Sequence, residues 1–495
     1  MKQLFVTAAV AVAALTACQK AETTISFNIT DLPEGTVIEI SKMENQVGER
    51  VYIDTVNCGT CCFVYKCDSL EEITKFSLQT TNGLMRSNRN IAIKENYGAT
   101  VYGSGFYVQN WKIDSKYPRQ QFINKKNDAL KDVSIEISKI ETEAKNPATA
   151  QEKRDSLYNK IRELQEKRTE IRFALIDTLP IDEAWLDEFA NLTATGPGGP
   201  NYSRMTEIYN RLSDADKATP VGRHITLNLF GKAPAVGDKV IDYDLYDADG
   251  NLHHLSEYQG KWLLVDFSAY FCGPCRMFVP MAKYFYEKDI NKKLEIVTLT
   301  SDSQKLFKKL IAEEKYTTPI WNDRDGRDGI FALYKIHAVP TFYLISPDGT
   351  IADMLPGFDP QRIADIVIEK ALPEPEFKTE NGASVIINPA FSSNNSPVFV
   401  DKVELYADST VLNCTCAIAG KYCIKSDTYL SVNGKRACTI TKADIGLGEW
   451  VQTPYGEVGH CRLTFEPLPN GTTEFDFIEG DCDECIRIMG VKVKE

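Results

Sequence analysis

The stretch VDFSAYFCGPCR, residues 265–276, decides the fold of the central part of the chain. An apolar run from Trp262 to Phe267 leads into it, and a helical pattern follows. Two residues separate Cys272 from Cys275, a spacing that lets both thiols lie on the first turn of one helix and form or break a disulfide. The helix N-terminus and the nearby Arg276 favour the thiolate of Cys272, the form that attacks disulfides.

The same Cys-x-x-Cys spacing also occurs in half of a zinc site, which is the alternative for this pair. No second pair of cysteine or histidine residues lies close in sequence on either side. Gly273 and Pro274, between the cysteines, suit a redox turn. The sequence therefore favours a redox-active pair over a metal site.

Three separate features around this pair resemble the thioredoxin superfamily, and they occur in the family's order. Val265–Phe267 matches the family's strand with a buried aspartate, and Pro280 matches its helix-kinking proline. Ala338–Thr341 is similar to the family's cis-proline loop and precedes an apolar strand at Phe342–Ile345. The resemblance implies an α/β thioredoxin-like domain, with a central sheet flanked by helices, over residues 233–373.

Within that superfamily the chain resembles the TlpA-like branch, also labelled AhpC/TSA or redoxin. The segments Asp247–Asn251, Leu255–Ser256 and Gly260–Lys261 carry this likeness. Ser268 and Phe271 depart from it, because thioredoxins proper usually have tryptophans there. We expect surface recognition and redox tuning to differ accordingly.

The resemblance implies a thiol–disulfide oxidoreductase that needs no cofactor and no metal. Cys272 would attack a substrate disulfide, Cys275 would resolve the mixed disulfide, and Asp266 would help to remove the proton of Cys275. Val339, held beside the dithiol by Pro340, would pair with the substrate strand. The remaining expected contacts to substrate come from Gly273 and Pro274.

The dipeptide between the cysteines also predicts the direction of the reaction. Gly273-Pro274 is the thioredoxin dipeptide, and no histidine lies between or beside the cysteines to stabilise a thiolate. We therefore expect this protein to reduce disulfides of other proteins. The TlpA-like resemblance implies a second partner, a membrane-spanning thiol electron donor. It also implies a role in cytochrome complex assembly.

Two other functions remain as alternatives. A thiol peroxidase of the peroxiredoxin type would have a hydroxyl residue three positions before its cysteine, where this chain has Ala269, and a proline further back, where it has Val265. A non-enzymatic envelope binding or scaffold protein would use its β domains and keep an inert redox fold. Only the chemistry needs Cys272, Cys275, Asp266 and Pro340 together, which argues against an inert fold.

The length, charge and cysteine content limit the class of protein to which the whole chain can belong. The 495 residues are enough for three or four domains, each with its own core. A formal net charge of −13 argues against nucleic acid as a partner. Fourteen cysteines are many for a reducing cytosol and indicate an exported protein.

The N-terminus predicts a lipoprotein signal peptide at residues 1–18. Lys2 is followed by a short apolar segment, Leu4–Leu15, and Leu15–Cys18 resembles a bacterial lipobox with Cys18 as the lipidated residue. Lipid would then anchor the protein to the envelope of a Gram-negative bacterium, facing the periplasm. A plain secretory signal peptide is the alternative.

Three further regions complete the predicted organisation. Residues 23–115 show strand-like alternation, in which Val51–Val56 and Phe63–Tyr65 are typical of a hairpin. Residues 116–230 have helical periodicity, which predicts either a bundle that links two domains or a coiled-coil dimerisation arm. Thr149 and Glu152 are typical of a capping box at the start of the second helix. Residues 374–495 return to a β pattern.

Both β regions are rich in cysteine. In the first, four cysteines crowd the predicted hairpin, and disulfides or packing are favoured over metal: Cys58, Cys61, Cys62 and Cys67. In the second, Cys482 and Cys485 form another Cys-x-x-Cys pair among acidic neighbours such as Asp481, which disfavour a thiolate. A structural disulfide or packing is favoured there, and a four-cysteine zinc site with Cys414 and Cys416 is the alternative.

Overall fold

A computed structural model describes thirteen segments of the chain, and every structural statement below concerns them. They are residues 23–44, 47–55, 61–67, 71–79, 86–94, 97–288, 293–314, 316–324, 329–371, 374–417, 420–454, 456–482 and 485–494. The chain divides into two compact units, the first ending at Leu192 and the second beginning at Thr193. The lipobox with Cys18 lies outside the described residues. Within the described part, no helix combines the length and the apolar character needed to cross a membrane.

The first unit begins with two four-stranded sheets, in the orders β4-β1-β7-β8 and β3-β2-β5-β6. Alternation in β1 places Ile25, Phe27 and Ile29 in a buried core, where they meet Ile38 and Trp111 from other parts of the unit. The strands are β1 Thr23–Thr30, β2 Val37–Glu44, β3 Val47–Thr55, β4 Cys61–Cys67, β5 Glu71–Gln79, β6 Arg86–Lys94, β7 Ala99–Ser104 and β8 Lys112–Asp114.

The predicted hairpin between β3 and β4 is wrong. β3 pairs with β2, whereas β4 pairs antiparallel with β1, and the paired residues Phe27 and Phe63 are 36 positions apart in the chain. Alternation of apolar and polar residues identifies a strand but does not choose its partner. The side chains of Cys58, Cys61, Cys62 and Cys67 lie outside the described residues, so the alternatives for them stay predictions.

Two long helices follow, α1 Pro118–Lys145 and α2 Gln151–Thr178, and then α3 Glu183–Thr193. The apolar side chains of α1 and α2 pack against each other within one chain, with Val133 and Ile137 of α1 in the same cluster as Ile161 of α2. The predicted capping box is wrong, because α2 begins after Ala150 and has no side-chain cap. The Thr149 hydroxyl instead donates to the carbonyl of Glu143, which belongs to the preceding helix.

The second unit begins with three short helices and continues into a seven-stranded sheet, in the order β10-β9-β13-β12-β11-β14-β15. β11, β12 and β13 run parallel, and β14 and β15 are antiparallel additions to β11. The strands are β9 Leu245–Tyr246, β10 Leu252–His253, β11 Trp262–Ser268, β12 Leu294–Thr300, β13 Ile320–Asn322, β14 Thr341–Ile345 and β15 Ile351–Pro356. The helices of this unit are α4 Tyr202–Tyr209, α5 Asp214–Ala218, α6 Pro220–Phe230, α7 Gly273–Lys288, α8 Gln304–Glu314, α9 Ile330–Leu333 and α10 Pro360–Ala371.

This sheet has the thioredoxin-like arrangement that the sequence predicts. β11 and β12 are parallel neighbours joined through α7, which contains Pro280. One face of the sheet packs against α7 and α10, with Leu264 beside Phe278, and the other face carries Phe267. The dithiol therefore lies where the central strand ends and α7 begins.

The last part of the second unit is a ten-stranded antiparallel sheet, in the order β16-β17-β19-β20-β25-β23-β22-β26-β27-β18, with β21 and β24 paired separately. Its strands are β16 Glu376–Glu380, β17 Ala383–Ile387, β18 Ser393–Asn394, β19 Val398–Leu405, β20 Thr410–Cys416, β21 Gly420–Tyr422, β22 Tyr429–Val432, β23 Lys435–Ala443, β24 Val451–Thr453, β25 Gly459–Phe465, β26 Glu474–Ile478 and β27 Arg487–Lys492. Cys461, Leu463 and Phe465 of β25 are buried, as their alternation predicts.

The C-terminal sheet packs directly on the redox helix α7. Tyr284 of α7 stacks on Phe399 of β19, with 4.2 Å between ring centroids and 10° between planes. Phe285 also meets Phe399, and Lys283 forms an ion pair with Glu457. Apolar contact and charge thus hold α7 from its C-terminal half.

Candidate active site

Cys272 and Cys275 form a disulfide at the N-terminus of α7, with Cα atoms 5.3 Å apart. Cys272 directly precedes the first helical residue, and Cys275 lies in the first turn. The N–H of Cys275 donates to Sγ of Cys272 at 3.1 Å. Because amides at the start of a helix favour negative charge, this contact stabilises a thiolate at Cys272 once the pair is reduced.

The two sulfurs differ slightly in exposure, in the order that the sequence predicts. Cys272 is 5% exposed and Cys275 only 1%. Phe271 and Met277, on either side of the pair, are about half exposed and provide apolar surface for a partner. A Cβ atom built on Gly273 would meet no other atom within 4 Å, so the side of the pair at Gly273 is open.

The cis-proline loop lies against the disulfide. The Val339–Pro340 peptide bond is cis, and the Val339 side chain packs against the cluster formed by Ala269, Cys272 and Cys275. The carbonyl of Pro340 accepts a hydrogen bond from the N–H of Gly357 at 2.8 Å. Among the described residues the main chain of Val339 has no hydrogen bond, so its polar groups are free to pair with a bound strand.

Asp266 is the buried carboxyl group of this site. It is 1% exposed on β11, and the hydroxyl of Thr298, its neighbour on β12, donates to its Oδ2 at 3.2 Å. Burial away from water raises the pKa of Asp266 to about 8, and the hydrogen bond from Thr298 offsets part of that effect. A carboxyl group with such a pKa can exchange protons with a thiol near neutral pH.

Ser268 is a second polar group on the same strand, and it is buried, so of the two expected departures from thioredoxins proper only Phe271 lies at the surface. The Oγ of Ser268 and the Oδ1 of Asp266 are both buried and have no hydrogen-bond partner among the described residues. Asp266 and Ser268 are two positions apart, so they share the strand face on which Leu264 packs against α7. Buried polar atoms without partners are rare, and here two of them lie beneath the helix that carries the dithiol.

Asp302 fixes the loop before the cysteines, and sequence reasoning missed it. Its carboxylate accepts hydrogen bonds from the N–H of Tyr270 at 2.7 Å and from the hydroxyl of Thr300. Asn322 donates to the carbonyls of Thr300 and Asp302, which ties this corner to β13. Burial raises the pKa of Asp302. One sequence signal could have pointed to Asp302. Polar residues directly follow the buried strand β12, and the end of β12 lies next to the end of β11.

Arg276 contacts the loop before the cysteines. Its guanidinium donates to the carbonyl of Tyr270 at 2.9 Å and lies 4.0 Å from the Glu313 carboxylate. It also stacks on the Tyr270 ring at 5.1 Å. Its expected effect on the Cys272 thiolate stays a prediction.

The zinc alternatives are not formed. Cys272 pairs with Cys275, and Cys482 pairs with Cys485. No group of three or more potential metal ligands occurs among the residues that the structure describes. Cys414 and Cys416 lie instead in the core of the C-terminal sheet beside Cys461, with their thiols free.

A thioredoxin-like sheet, a dithiol at a helix N-terminus, a buried aspartate and an adjacent cis-proline loop together define a thiol–disulfide oxidoreductase domain. The AhpC/TSA family matches residues 236–354. Thiol-disulfide oxidoreductase ResA of Geobacillus kaustophilus is 31% identical over 28% of this chain and 79% of its own length. The chain belongs to this AhpC/TSA family of thiol–disulfide oxidoreductases.

Two further proteins are similar to part of this chain. Thiol-disulfide oxidoreductase ResA of Oceanobacillus iheyensis is 32% identical, and the match spans 25% of this chain and 65% of that protein, slightly under two thirds. A crystal structure of the thioredoxin domain of a thiol-disulfide oxidoreductase from Bacteroides vulgatus is 26% identical over 26% of this chain and 92% of that domain, with a TM-score of 0.24. The residues matched by the family lie within the redox domain.

Proposed function

We propose that this protein reduces disulfide bonds of other proteins in the periplasm, through Cys272 and Cys275. The observation that carries the proposal is the contact between the Cys275 amide and the Cys272 sulfur at 3.1 Å, in a cluster against which Val339 of the cis-proline loop packs. It supports one sulfur as the attacking thiolate and one backbone segment as the site for the substrate strand.

The reaction begins with the reduced enzyme. The Cys272 thiolate attacks one sulfur of the substrate disulfide, and the other substrate sulfur leaves as a thiolate. Asp266 accepts the proton of Cys275, and the Cys275 thiolate then attacks Sγ of Cys272. The second substrate sulfur is released, two electrons have passed to the substrate, and the enzyme holds the Cys272–Cys275 disulfide.

The polar groups beneath α7 support this assignment of the proton. A carboxyl with a pKa of about 8 lies close to the ordinary pKa of a thiol, so transfer from Cys275 to Asp266 costs little free energy. A charged Asp266 also disfavours a second negative charge nearby, which lowers the stability of the dithiolate. That effect supports a reducing rather than an oxidising enzyme.

The direction can be tested on the full chain. Equilibration with mixtures of reduced and oxidised dithiothreitol, followed by acid quenching, alkylation and peptide mass spectrometry, measures the potential of the Cys272–Cys275 pair alone. We expect a value near that of thioredoxin, about −270 mV. A value less negative than about −180 mV, that of protein disulfide isomerase, would contradict the proposed direction.

The substrates can be captured by removing the resolving thiol. In Cys275→Ala protein expressed in the periplasm, the mixed disulfide at Cys272 cannot be resolved and should accumulate. Mass spectrometry of the trapped complexes then identifies the partners, including the membrane-spanning thiol donor that a reductase needs. A variant that lacks both cysteines is the control, and equal capture by it would refute disulfide exchange at Cys272.

We also propose that lipid on Cys18 anchors the protein to the cell envelope. The support is the sequence Leu15–Cys18 after a short apolar segment. Cys18→Ala should remove incorporation of labelled fatty acid and release the protein from the membrane fraction. Unchanged membrane association of Cys18→Ala, with no label in the unmodified protein, would contradict the anchor.

A further inference from the structure

A second Cys-x-x-Cys disulfide lies far along the chain from the first, between β26 and β27 of the C-terminal sheet. Cys482 and Cys485 are bonded, with Cα atoms 5.2 Å apart. Cys482 is exposed, whereas Cys485 is only 1% exposed. One cysteine is thus exposed and the other is enclosed, an arrangement that suits thiol–disulfide exchange.

The ammonium group of Lys425 contacts both sulfurs of this disulfide. Its Nζ lies 3.1 Å from Sγ of Cys482 and 2.9 Å from Sγ of Cys485. Lys425 comes from the loop between β21 and β22, so only the folded chain brings it to the pair. A neutral disulfide gains little from a positive charge, but a thiolate at the same distance gains a strong charge-assisted contact.

Several other charged groups lie near Lys425 and the pair, among them Asp427 and Glu479. Glu479 is buried and faces Lys425, and burial raises the pKa of its carboxyl group. Asp481 accepts a hydrogen bond from the Tyr429 hydroxyl at 3.4 Å. Arg487 donates to the carbonyl of Cys482 at 3.0 Å and adds a second positive charge near the loop.

Hydrogen bonds hold Cys485 and Arg487 independently of the disulfide. The side-chain amide of Asn395 donates to the carbonyl of Cys485 at 2.9 Å, and its oxygen accepts from the N–H of Arg487 at 2.7 Å. The N–H of Cys485 donates to the carbonyl of Cys482 at 3.2 Å. A disulfide that closes so short a loop constrains the unfolded chain less than one that joins distant segments. These hydrogen bonds do not require the disulfide to be closed.

We propose that Cys482–Cys485 is a second thiol–disulfide exchange site, with Lys425 as the residue that stabilises its leaving thiolate. Its partner is a protein that carries a pair of neighbouring thiols. This site goes beyond the function proposed for Cys272 and Cys275 and does not depend on it.

The proposed exchange is balanced in electrons and protons. A thiolate of the partner attacks Sγ of the exposed Cys482, the bond to Cys485 breaks, and Cys485 leaves as a thiolate beside Lys425. The second thiol of the partner, once deprotonated, attacks the partner sulfur of the mixed disulfide and releases Cys482. The partner is oxidised to a disulfide, the pair gains two electrons, and the two partner protons end on Cys482, Cys485 or solvent.

The test uses the full chain and dithiothreitol as the dithiol. Samples of wild type, Lys425→Gln and Lys425→Arg are quenched in acid during reduction, alkylated and digested. Peptide mass spectrometry then gives the rate and equilibrium of reduction at each Cys-x-x-Cys pair. Lys421→Gln is the matched control, because Lys421 is an exposed lysine on β21, the strand that precedes the loop of Lys425.

We expect Lys425→Gln to slow reduction of Cys482–Cys485 about tenfold and to reduce its equilibrium reduced fraction, with Lys425→Arg close to wild type. Cys272–Cys275 should be unchanged in every variant, and Lys421→Gln should match wild type. Equal reduction of Cys482–Cys485 in wild type and Lys425→Gln would overturn the role of Lys425. A wild-type pair that stays oxidised after Cys272–Cys275 is fully reduced would overturn the exchange site itself.

Discussion

The two Cys-x-x-Cys disulfides of this chain share a spacing but differ in what surrounds them. At the first, a helix amide points to Cys272 alone, 3.1 Å from its sulfur. At the second, Lys425 is 3.1 Å from one sulfur and 2.9 Å from the other. The motif brings two sulfurs together, and the neighbouring donors decide whether one sulfur or both can carry charge.

The two sites also differ in their buried carboxyl groups. Asp266 is buried below the first pair, with a pKa raised to about 8 by the loss of water. At the second pair a buried carboxyl group, Glu479, faces the Lys425 ammonium. The first site is therefore suited to moving a proton during turnover, and the second to holding a negative charge.

Of the variants that test this comparison, the one that removes the carboxyl group of Asp266 should have the largest effect. In Asp266→Asn, release from a mixed disulfide at Cys272 should slow by about tenfold to a hundredfold, because proton removal from Cys275 loses its acceptor. The carboxylate is the accepting form and is populated as pH rises toward about 8, so the wild-type rate should rise to that pH and then level off. Rapid-mixing kinetics with a fluorescent disulfide peptide measure both results.

Thr298→Val is the matched variant for that experiment. It keeps the carboxyl group but removes the hydrogen bond that lowers its pKa, so the inflection should move to higher pH. Reduction of Cys482–Cys485 should be the same in both variants. A rate like that of wild type from about pH 6 to 8 in Asp266→Asn would leave Asp266 as a packing residue only.

An imidazole placed between Cys272 and Cys275 should have a smaller effect, on the redox equilibrium of that pair. Pro274→His adds a group that stabilises the Cys272 thiolate, so the reduced form should be favoured about tenfold more in equilibrium with glutathione. Peptide mass spectrometry after alkylation follows both pairs in one sample. The comparison requires Cys482–Cys485 to keep its wild-type equilibrium, and a shift at both pairs would show that the sites are not independent.

The smallest expected difference lies within the first pair. In fully reduced protein at mildly acidic pH, iodoacetamide should label Cys272 several-fold faster than Cys275, because Cys272 is more exposed and accepts the helix amide. Timed quenching and mass spectrometry give the two rates. Equal rates would contradict the assignment of Cys272 as the attacking thiol.

The redox domain was largely predictable because its signals are local. β14 runs from Thr341 to Ile345, where the apolar segment Phe342–Ile345 predicts a strand, and all five of its residues are buried. Cys272, Cys275, Asp266 and Pro340 were found because each occupies a fixed place in a familiar order along the chain.

The parts that sequence reasoning missed depend on contacts across the chain. Asp302 reaches the N–H of Tyr270 over 32 positions, and Lys425 reaches Cys482 over 57. The acidic neighbours of Cys482 suggested a poor thiolate, because the sequence does not show that a distant lysine contacts the sulfur. The β3–β4 hairpin failed for the same reason, since strand partners are chosen by the whole sheet.

Because Tyr284 stacks on Phe399, the redox domain is not independent of the C-terminal sheet. Both rings belong to the second unit, and Leu264, Phe285 and Phe399 share one apolar cluster. A fragment cut after α10 would expose this aromatic face to water and would be prone to self-association. A truncated or grafted version of the redox domain should therefore keep the C-terminal sheet together with α7.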